Sequence, residues 1–160
     1  IWCAQTNFEI ATRIPLIVRV PGMDSQGTKV SQLVESVDLF PTLCEFCGLP
    51  VPDQVEGSSL VPLVAQPNRS WKRAAFSQCP RGEDTMGYTI RTDRFRYTEW
   101  TRSGANEPAA VEFYDRISDP GENDNTVDRP ENRDRVNELK EQLHEGWQAS
   151  RPADIAAKAN

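Results

Sequence analysis

Apolar residues are concentrated in the first half of the chain, where they form short runs. Of the 34 Leu, Ile, Val and Phe residues, 24 lie in residues 1–80 and 10 in residues 81–160. The segment Ile14–Val20 is an almost continuous apolar run that ends at Pro21-Gly22. Such a run is typical of a strand that is covered on both faces of an α/β sheet. The first half is therefore predicted to belong to a buried sheet core, and the second half to a more solvated subdomain.

A helix is predicted to begin near Val37 or Asp38 and to end before Gly48. Ser36 or Asp38 can cap its N-terminus, and a glycine is well suited to close its C-terminus. Its apolar positions follow helical spacing: Leu39, Leu43 and Phe46, adjoined by Phe40 and Cys47. Cys44 and Cys47 lie at the end of this helix rather than at its start, so they are predicted to be core-facing thiols, with a redox or metal role as the alternative.

The second half shows the alternation and turn residues of a small antiparallel sheet. Strands are predicted at Ala74–Gln78, Gly87–Arg91, Phe95–Trp100 and Glu112–Asp115, and the second and third of these form a hairpin. A last helix is predicted over Pro130–Ala149, because its apolar residues form one stripe among charged positions.

Composition excludes some classes of function. The 24 acidic and 18 basic side chains give a net charge of −6, whereas a nucleic-acid binder needs an excess of Lys and Arg. No apolar run approaches the roughly 18 residues of a membrane span. The single histidine, His144, argues against a histidine-based metal site in this stretch. The acidic residues Asp115, Asp119, Glu122 and Asp124 do not have the spacing of a calcium loop, and a solvated turn is the preferred interpretation.

The predicted hairpin region holds the main candidates for binding. Gln78, Arg81 and Arg91 lie near one another in the strand pattern, and guanidinium groups suit sulfate, phosphate and carboxylate. The alternative, which spacing alone favours, is that Arg91 and Arg96 pair with acidic neighbours and only brace the hairpin.

Several segments together resemble the sulfatase family over residues 1–147. The motifs that match sulfatases at large are Thr12-Arg13-Ile14-Pro15-Leu16-Ile17, Val37-Asp38-Leu39-Phe40-Pro41-Thr42-Leu43 and Glu56-Gly57-Ser58-Ser59-Leu60. Narrower motifs resemble the iduronate-2-sulfatase branch: Ser77-Gln78-Cys79-Pro80-Arg81, Met86-Gly87-Tyr88-Thr89-Ile90-Arg91-Thr92 and Arg96-Tyr97-Thr98-Glu99-Trp100.

The resemblance implies the C-terminal part of an alkaline-phosphatase-like α/β fold. Residues 1–66 would end the main domain with its last sheet strand and helix. Residues 67–150 would form a C-terminal subdomain of antiparallel strands with a helix, and residues 151–160 a flexible tail. A parent of this kind would hydrolyse sulfate esters, with 2-sulfated uronic acids of glycosaminoglycan-like polysaccharides as its substrates.

Such enzymes use a formylglycine nucleophile and a calcium ion, and neither the nucleophile motif nor a metal-ligand set is found in this chain. The resemblance places a sulfate-contacting lysine at position 4, where this chain has Ala4. The stretch alone is therefore expected to be inactive and to shape the substrate pocket through Gln78, Arg81 and Arg91. The alternative is a non-catalytic sulfatase-like protein that binds sulfated glycans. The family further suggests an exported protein, whether periplasmic, extracellular or lysosomal.

Overall fold

The computed structural model describes residues 5–23 and 27–152. They divide into two compact units. The first contains the described residues of Ile1–Pro15 together with Ala74–Ala149, and the second those of Leu16–Arg73 and Ser150–Asn160. The predicted domain boundaries after residues 66 and 150 concern a larger protein and stay predictions. Most of the expected tail, residues 153–160, lies outside the described residues.

A four-stranded antiparallel sheet forms the centre of the first unit. Its strands follow one another in the order β1-β2-β3-β4, and adjacent strands are joined by short connections. The bounds are β1 Ala75–Arg81, β2 Thr85–Arg91, β3 Phe95–Arg102 and β4 Ala110–Asp115. Each agrees with a predicted strand within a few residues, because alternation and turn composition are local signals.

Helix α4 covers one face of this sheet, which we call the helix face. It spans Arg133–Glu145, is preceded by a 3₁₀ turn at Pro130–Asn132 and ends at Gly146, whose φ of 82° stops the helix predicted to reach residue 149. The core of the unit consists of five buried residues: Ala74, Ile90, Tyr97, Phe113 and Leu139. Side chains alternate along a strand, so every second residue points to the opposite side of the sheet. This side carries Arg91, Arg96 and Trp100. We call it the segment face, because the segment around Glu9 contacts it.

The second unit is built around helix α2, which spans Leu39–Phe46 and follows a 3₁₀ turn at Ser36–Asp38. A shorter helix, α3, spans Val61–Ala65. Of the two predicted caps, Asp38 is the N-cap of α2, although its side chain does not cap this helix. The Asp38 carboxylate instead accepts a hydrogen bond from the backbone N–H of Glu35, the N-cap of the 3₁₀ turn. Ser36 therefore does not cap this helix.

A buried lysine–carboxylate cluster holds the second unit together. The Nζ atom of Lys72 lies 2.6 Å from Glu35 Oε2 and 2.7 Å from Asp38 Oδ1. Asp38 is fully buried, and its Oδ1 atom also accepts the backbone N–H of Ser58. The backbone at Gly57 lies so close to the backbone at Val37 that a Cβ on Gly57 would be 2.0 Å from the Val37 carbonyl oxygen. The loop at residues 57–60 is thus fixed to the start of α2.

The structure corrects three expectations about apolar residues in residues 14–47. Residues 14–20 form no strand and their side chains are largely exposed, with Ile17 at 91%. A strand needs hydrogen-bonding neighbours, and none pairs with this segment in the described part of the chain. The predicted stripe of α2 is likewise exposed at Leu43, and the helix buries its Pro41, Thr42 and Cys44 side instead. Cys44 is core-facing as predicted, but Cys47 is exposed.

Candidate functional site

The three predicted binding residues do not converge on one pocket. Gln78 is paired with Tyr88 and lies on the helix face, whereas Arg81 and Arg91 lie on the segment face. Arg81 is paired with Thr85, six residues from Arg91 along β2, which separates the two arginines by about 20 Å at 3.3 Å per residue. Gln78 and Arg81 are both exposed on β1, an outer strand of this sheet.

Arg81 is held flat against the segment face by an aromatic ring. Its guanidinium carbon lies 3.9 Å from the centroid of the Trp100 ring. Trp100 in turn lies directly on Gly87, where a Cβ would come within 2.6 Å of the indole, so only glycine fits this position. A cation stacked on a buried ring keeps its donor edge free. Arg81 is therefore exposed while its guanidinium is stacked on Trp100.

Arg91 belongs to a different arrangement, which we call the arginine–glutamate cluster: Glu9, Arg91, Arg96, Arg116 and Glu122. The Glu9 carboxylate forms salt bridges with the Nη2 atoms of all three arginines. The distances are 3.2 Å from Arg91, 2.7 Å from Arg96 and 3.0 Å from Arg116. Arg91 and Arg96 thus pair with carboxylates, but with partners far away in the sequence rather than within the hairpin.

Glu122 completes the cluster from the turn that follows β4. Its Oε1 atom lies 2.6 Å from Arg96 Nε, and its Oε2 atom accepts the Glu9 backbone N–H at 2.7 Å. Both partners of the first contact are almost fully buried, with side-chain exposures of 1% and 2%. The prediction of a solvated turn is therefore wrong for Glu122, although Asp119 in the same turn does accept local backbone N–H groups.

The charges of this cluster control the ionisation of Glu9. Burial raises the pKa of Glu9, but the hydrogen bond from Arg91 and the charges of Arg91, Arg116 and Arg96 outweigh burial and hold the pKa below its ordinary 4.5. The folded state therefore binds the proton less tightly than the unfolded chain does. The resulting stabilisation is complete above the ordinary pKa and is lost as the pH falls through the lower folded value.

We expect acid to destabilise the native protein partly through Glu9. The free energy of unfolding, measured by urea titration from pH 6 to pH 3, should decrease with a shallower slope in Glu9→Gln than in the wild type. Asp115 and Asp119 also have lowered pKa values, but they act equally in both proteins and cancel in the comparison. Identical slopes would contradict the role given to the Glu9 carboxylate.

A second polar group lies on the helix face and includes the only histidine. The Tyr97 hydroxyl donates to Glu99 Oε1 at 2.8 Å, and His144 Nε2 lies 2.8 Å from Glu99 Oε2. Burial, followed by the neighbouring Glu99, raises the pKa of Tyr97. His144 is half exposed. Its partner was not predicted, because Glu99 is 45 residues away in the sequence.

No metal site is formed by residues 5–23 and 27–152: no group of three or more His, Cys, Asp and Glu side chains could hold an ion. Ala4, the position that the resemblance relates to a sulfate-contacting lysine, lies outside the described residues. Over the described ranges, no helix has the length and apolarity needed to cross a bilayer.

Comparison with known proteins defines the class. This chain is mixed α/β, with a small antiparallel sheet and a C-terminal helix. The solved structures similar to it are alkaline-phosphatase-like sulfatases, so it has the fold of the C-terminal part of such an enzyme. The family described as N-sulphoglucosamine sulphohydrolase, C-terminal, matches residues 4–149. The chain therefore belongs to this family, and its resemblance to sulfatases is confirmed.

Two curated relatives illustrate the range of the family. An arylsulfatase of Clostridium perfringens is 27% identical over 139 residues, which cover 85% of this chain and 28% of that protein. The iduronate 2-sulfatase of Mus musculus is 31% identical over 159 residues, with 62% and 29% covered. The chain thus spans less than a third of the length of these relatives.

A solved structure is similar to this chain over part of its length. It contains a protein in complex with its substrate, D-glucosamine-2-N,6-O-disulfate, and is 28% identical to this chain with a TM-score of 0.58. The match covers 68% of this chain and 22% of that protein.

Proposed function

We propose that this chain is the C-terminal part of a sulfatase that hydrolyses sulfate esters of glycosaminoglycan-like polysaccharides. The family match over residues 4–149 carries this proposal. Residues 1–66 would complete the main α/β domain, and residues 67–150 would form the C-terminal subdomain. The substrate complex of a similar protein supports a sulfated sugar as the ligand.

We further propose 2-sulfated uronic acids as the substrates. The motifs around Gln78, Arg81 and Arg91 resemble the iduronate-2-sulfatase branch, and a mouse enzyme of that name is 31% identical. The similar protein that acts on a sulfated glucosamine makes glucosamine sulfates the competing substrate class.

In this proposal the chemistry and the substrate contact come from different parts of the protein. Sulfatases use a formylglycine nucleophile and a divalent metal, calcium in the proposed parent, and the described residues offer no ligand group for such an ion. This stretch alone is therefore expected to be inactive. Its contribution would be the exposed guanidinium of Arg81 on the segment face, because Gln78 lies on the opposite face and Arg91 is engaged by Glu9.

The substrate class can be tested with the full-length protein and a panel of sulfated sugars. We expect sulfate release to be fastest from a disaccharide with a 2-sulfated uronic acid. Faster release from N-sulfated or 6-sulfated glucosamine would overturn the uronic acid assignment while keeping the sulfatase. Binding without release, not restored by Ala4→Lys, would support a non-catalytic glycan-binding protein instead.

The role of Arg81 can be tested in the same assay. Arg81→Ala should raise KM for an anionic sugar by about tenfold or more with kcat nearly unchanged, because a hydrogen bond to a charged group contributes about 1.5–3 kcal/mol. Arg102→Ala is the matched control: Arg102 is also exposed and lies in the same row of the sheet, but outside the stack on Trp100. Equal KM values for wild type and Arg81→Ala would exclude this contact.

A further inference from the structure

Tyr114 of strand β4 has a buried ring and an unpaired hydroxyl. Its pairing with Arg96 places it on the segment face, and the residue is 6% exposed. Within residues 5–23 and 27–152 the hydroxyl takes part in no hydrogen bond, and it is not one of the enclosed polar atoms that lack a partner, so it reaches solvent. The hydroxyl of a buried tyrosine usually finds a partner in the protein. Tyr114 therefore presents a free O–H group on a fixed ring.

The other two tyrosines of the chain do not share this combination. The Tyr97 hydroxyl donates to Glu99 Oε1 at 2.8 Å. Tyr88 is 44% exposed, so its ring is not enclosed, and its pairing with Glu99 places it on the helix face. The fixed ring and free hydroxyl of Tyr114 are thus specific to the segment face.

Two adjacent residues connect Tyr114 with the guanidinium–indole stack on the same face. Phe8, which directly precedes helix α1 at Glu9–Thr12, contacts the Tyr114 ring edge to face, at 5.8 Å between centroids. Its neighbour Asn7 is buried and donates from Nδ2 to the Gly87 carbonyl at 3.0 Å. Gly87 is the residue that the indole of the stack covers. The dipeptide at positions 7 and 8 therefore joins the surroundings of the stack to those of the tyrosine.

Electrostatics keep the proton on the Tyr114 hydroxyl. Burial and three neighbouring carboxylates raise the pKa of Tyr114 to about 12. The carboxylates, in order of their effect, are those of Glu112, Glu122 and Asp119. The positive charge of Arg81 lowers this pKa in part, so the guanidinium and the hydroxyl lie within electrostatic reach of each other. At neutral pH both groups are hydrogen-bond donors.

The two ends of this surface differ in charge. Arg81 is exposed, and no carboxylate in the described part of the chain pairs with it. At the other end, Glu122 is held by Arg96 in a turn where its backbone has a φ of 55°, and Asp119 is held by backbone N–H groups. Like charges repel, so an anionic group is favoured beside Arg81 and disfavoured beside Tyr114.

We propose that Tyr114 is a further sugar-binding residue, which donates its hydroxyl hydrogen to an uncharged oxygen of the anionic sugar whose charged group contacts Arg81. This inference rests on the proposed function, from which it takes the contact between Arg81 and an anionic sugar. The carboxylates around Tyr114 keep the charged group at the Arg81 end. The surface thereby orients the sugar as well as binding it.

The contact can be measured by calorimetric titration of the full-length protein with two probes that carry no sulfate ester. One is a disaccharide with an unsulfated uronic acid, and the other is its carboxyl-reduced, uncharged form. Tyr114→Phe should raise Kd for both probes about threefold to tenfold, because it removes one hydrogen bond to a neutral acceptor. Arg81→Ala should raise Kd for the charged probe alone.

Tyr88→Phe is the matched control, since it removes the same hydroxyl from the opposite face of the sheet. It should leave Kd unchanged for both probes. Equal Kd values for wild type and Tyr114→Phe would overturn the contact. A Kd raised for the charged probe alone would overturn the orientation, because the hydroxyl would then meet the charged group. The midpoint of thermal unfolding should be the same in wild type and Tyr114→Phe, and a lower midpoint in the variant would contradict the free hydroxyl.

Sulfate release separates this inference from the proposed function. In an active protein, Tyr114→Phe should raise KM about threefold to tenfold with kcat nearly unchanged. A protein that binds both probes as expected but releases no sulfate from any sugar would contradict the proposed function and retain the binding role of Tyr114. A protein that releases sulfate with the same KM in wild type and Tyr114→Phe would contradict the binding role alone.

Discussion

Replacing Arg96 by Met should lower the free energy of unfolding by about 3–5 kcal/mol. Removing one partner from a buried ion pair leaves an uncompensated charge, and this accounts for a loss of that size. Here the variant removes the nearer cation of Glu122, whose side chain is 2% exposed, and leaves only Arg116 at 3.7 Å. It also removes one of the three arginines that contact Glu9. Urea unfolding at pH 7, followed by circular dichroism, measures the difference.

Arg94→Met provides the control for this prediction. Arg94 pairs with Asp115 at 2.6 Å, but its side chain is 52% exposed. An exposed pair contributes about 0–1 kcal/mol, so the two variants should differ by severalfold in their effect. Adding Glu122→Gln to Arg96→Met should recover part of the stability, because it removes the stranded charge. Equal losses in Arg94→Met and Arg96→Met would show that the burial of the cluster has no energetic weight.

The second large effect is expected at Lys72. Lys72→Met leaves the fully buried Asp38 without the ammonium group that contacts both of its carboxylate oxygens, and should also cost about 3–5 kcal/mol. The loss arises in the second unit, so probes in that unit should respond first. Hydrogen exchange of the backbone N–H groups of Ser58 and Leu60 is suitable, because both donate into this region.

Lys29→Met is the matched control, since Lys29 is an exposed lysine of the same unit. It should change stability by less than about 0.5 kcal/mol, as surface substitutions usually do. The double variant Lys72→Met with Asp38→Asn should be more stable than Lys72→Met alone. If Lys72→Met proved as mild as Lys29→Met, the buried lysine would not stabilise the carboxylates.

The elements that the sequence predicted are those whose signals are local. The four strands and helix α4 follow from alternation, turn residues and a single apolar stripe. Helix α2 was placed within two residues, because Pro41 and Gly48 restrict where it can begin and end. The strand expected over residues 14–20 failed for the opposite reason: a strand depends on neighbours that lie elsewhere in the sequence, and the described residues supply none.

The candidate site was only half predictable. The sequence predicts Arg81 and Arg91 as anion-binding residues because both are arginines. Residue type does not reveal which guanidinium already pairs with a carboxylate of the same chain. The partner of Arg91 is 82 residues away and that of the Glu9 backbone is 113 residues away, and no periodic pattern carries such information. The exposed stripe of α2 shows the same limit, because periodicity identifies an apolar face without showing what covers it.

The left-handed backbone at Glu122 places two opposing demands on one position, which glutamate meets only by adopting an unfavourable backbone conformation. The φ of 55° favours glycine or asparagine, whereas the buried guanidinium of Arg96 and the Glu9 N–H require a long carboxylate. A glycine there would relax the turn and empty the cluster, and an aspartate would retain the charge but fall short by one methylene. Substitutions of Glu122 are therefore limited both by the backbone conformation and by the buried guanidinium of Arg96. A residue that suits the backbone can be accepted only together with a change at Arg96.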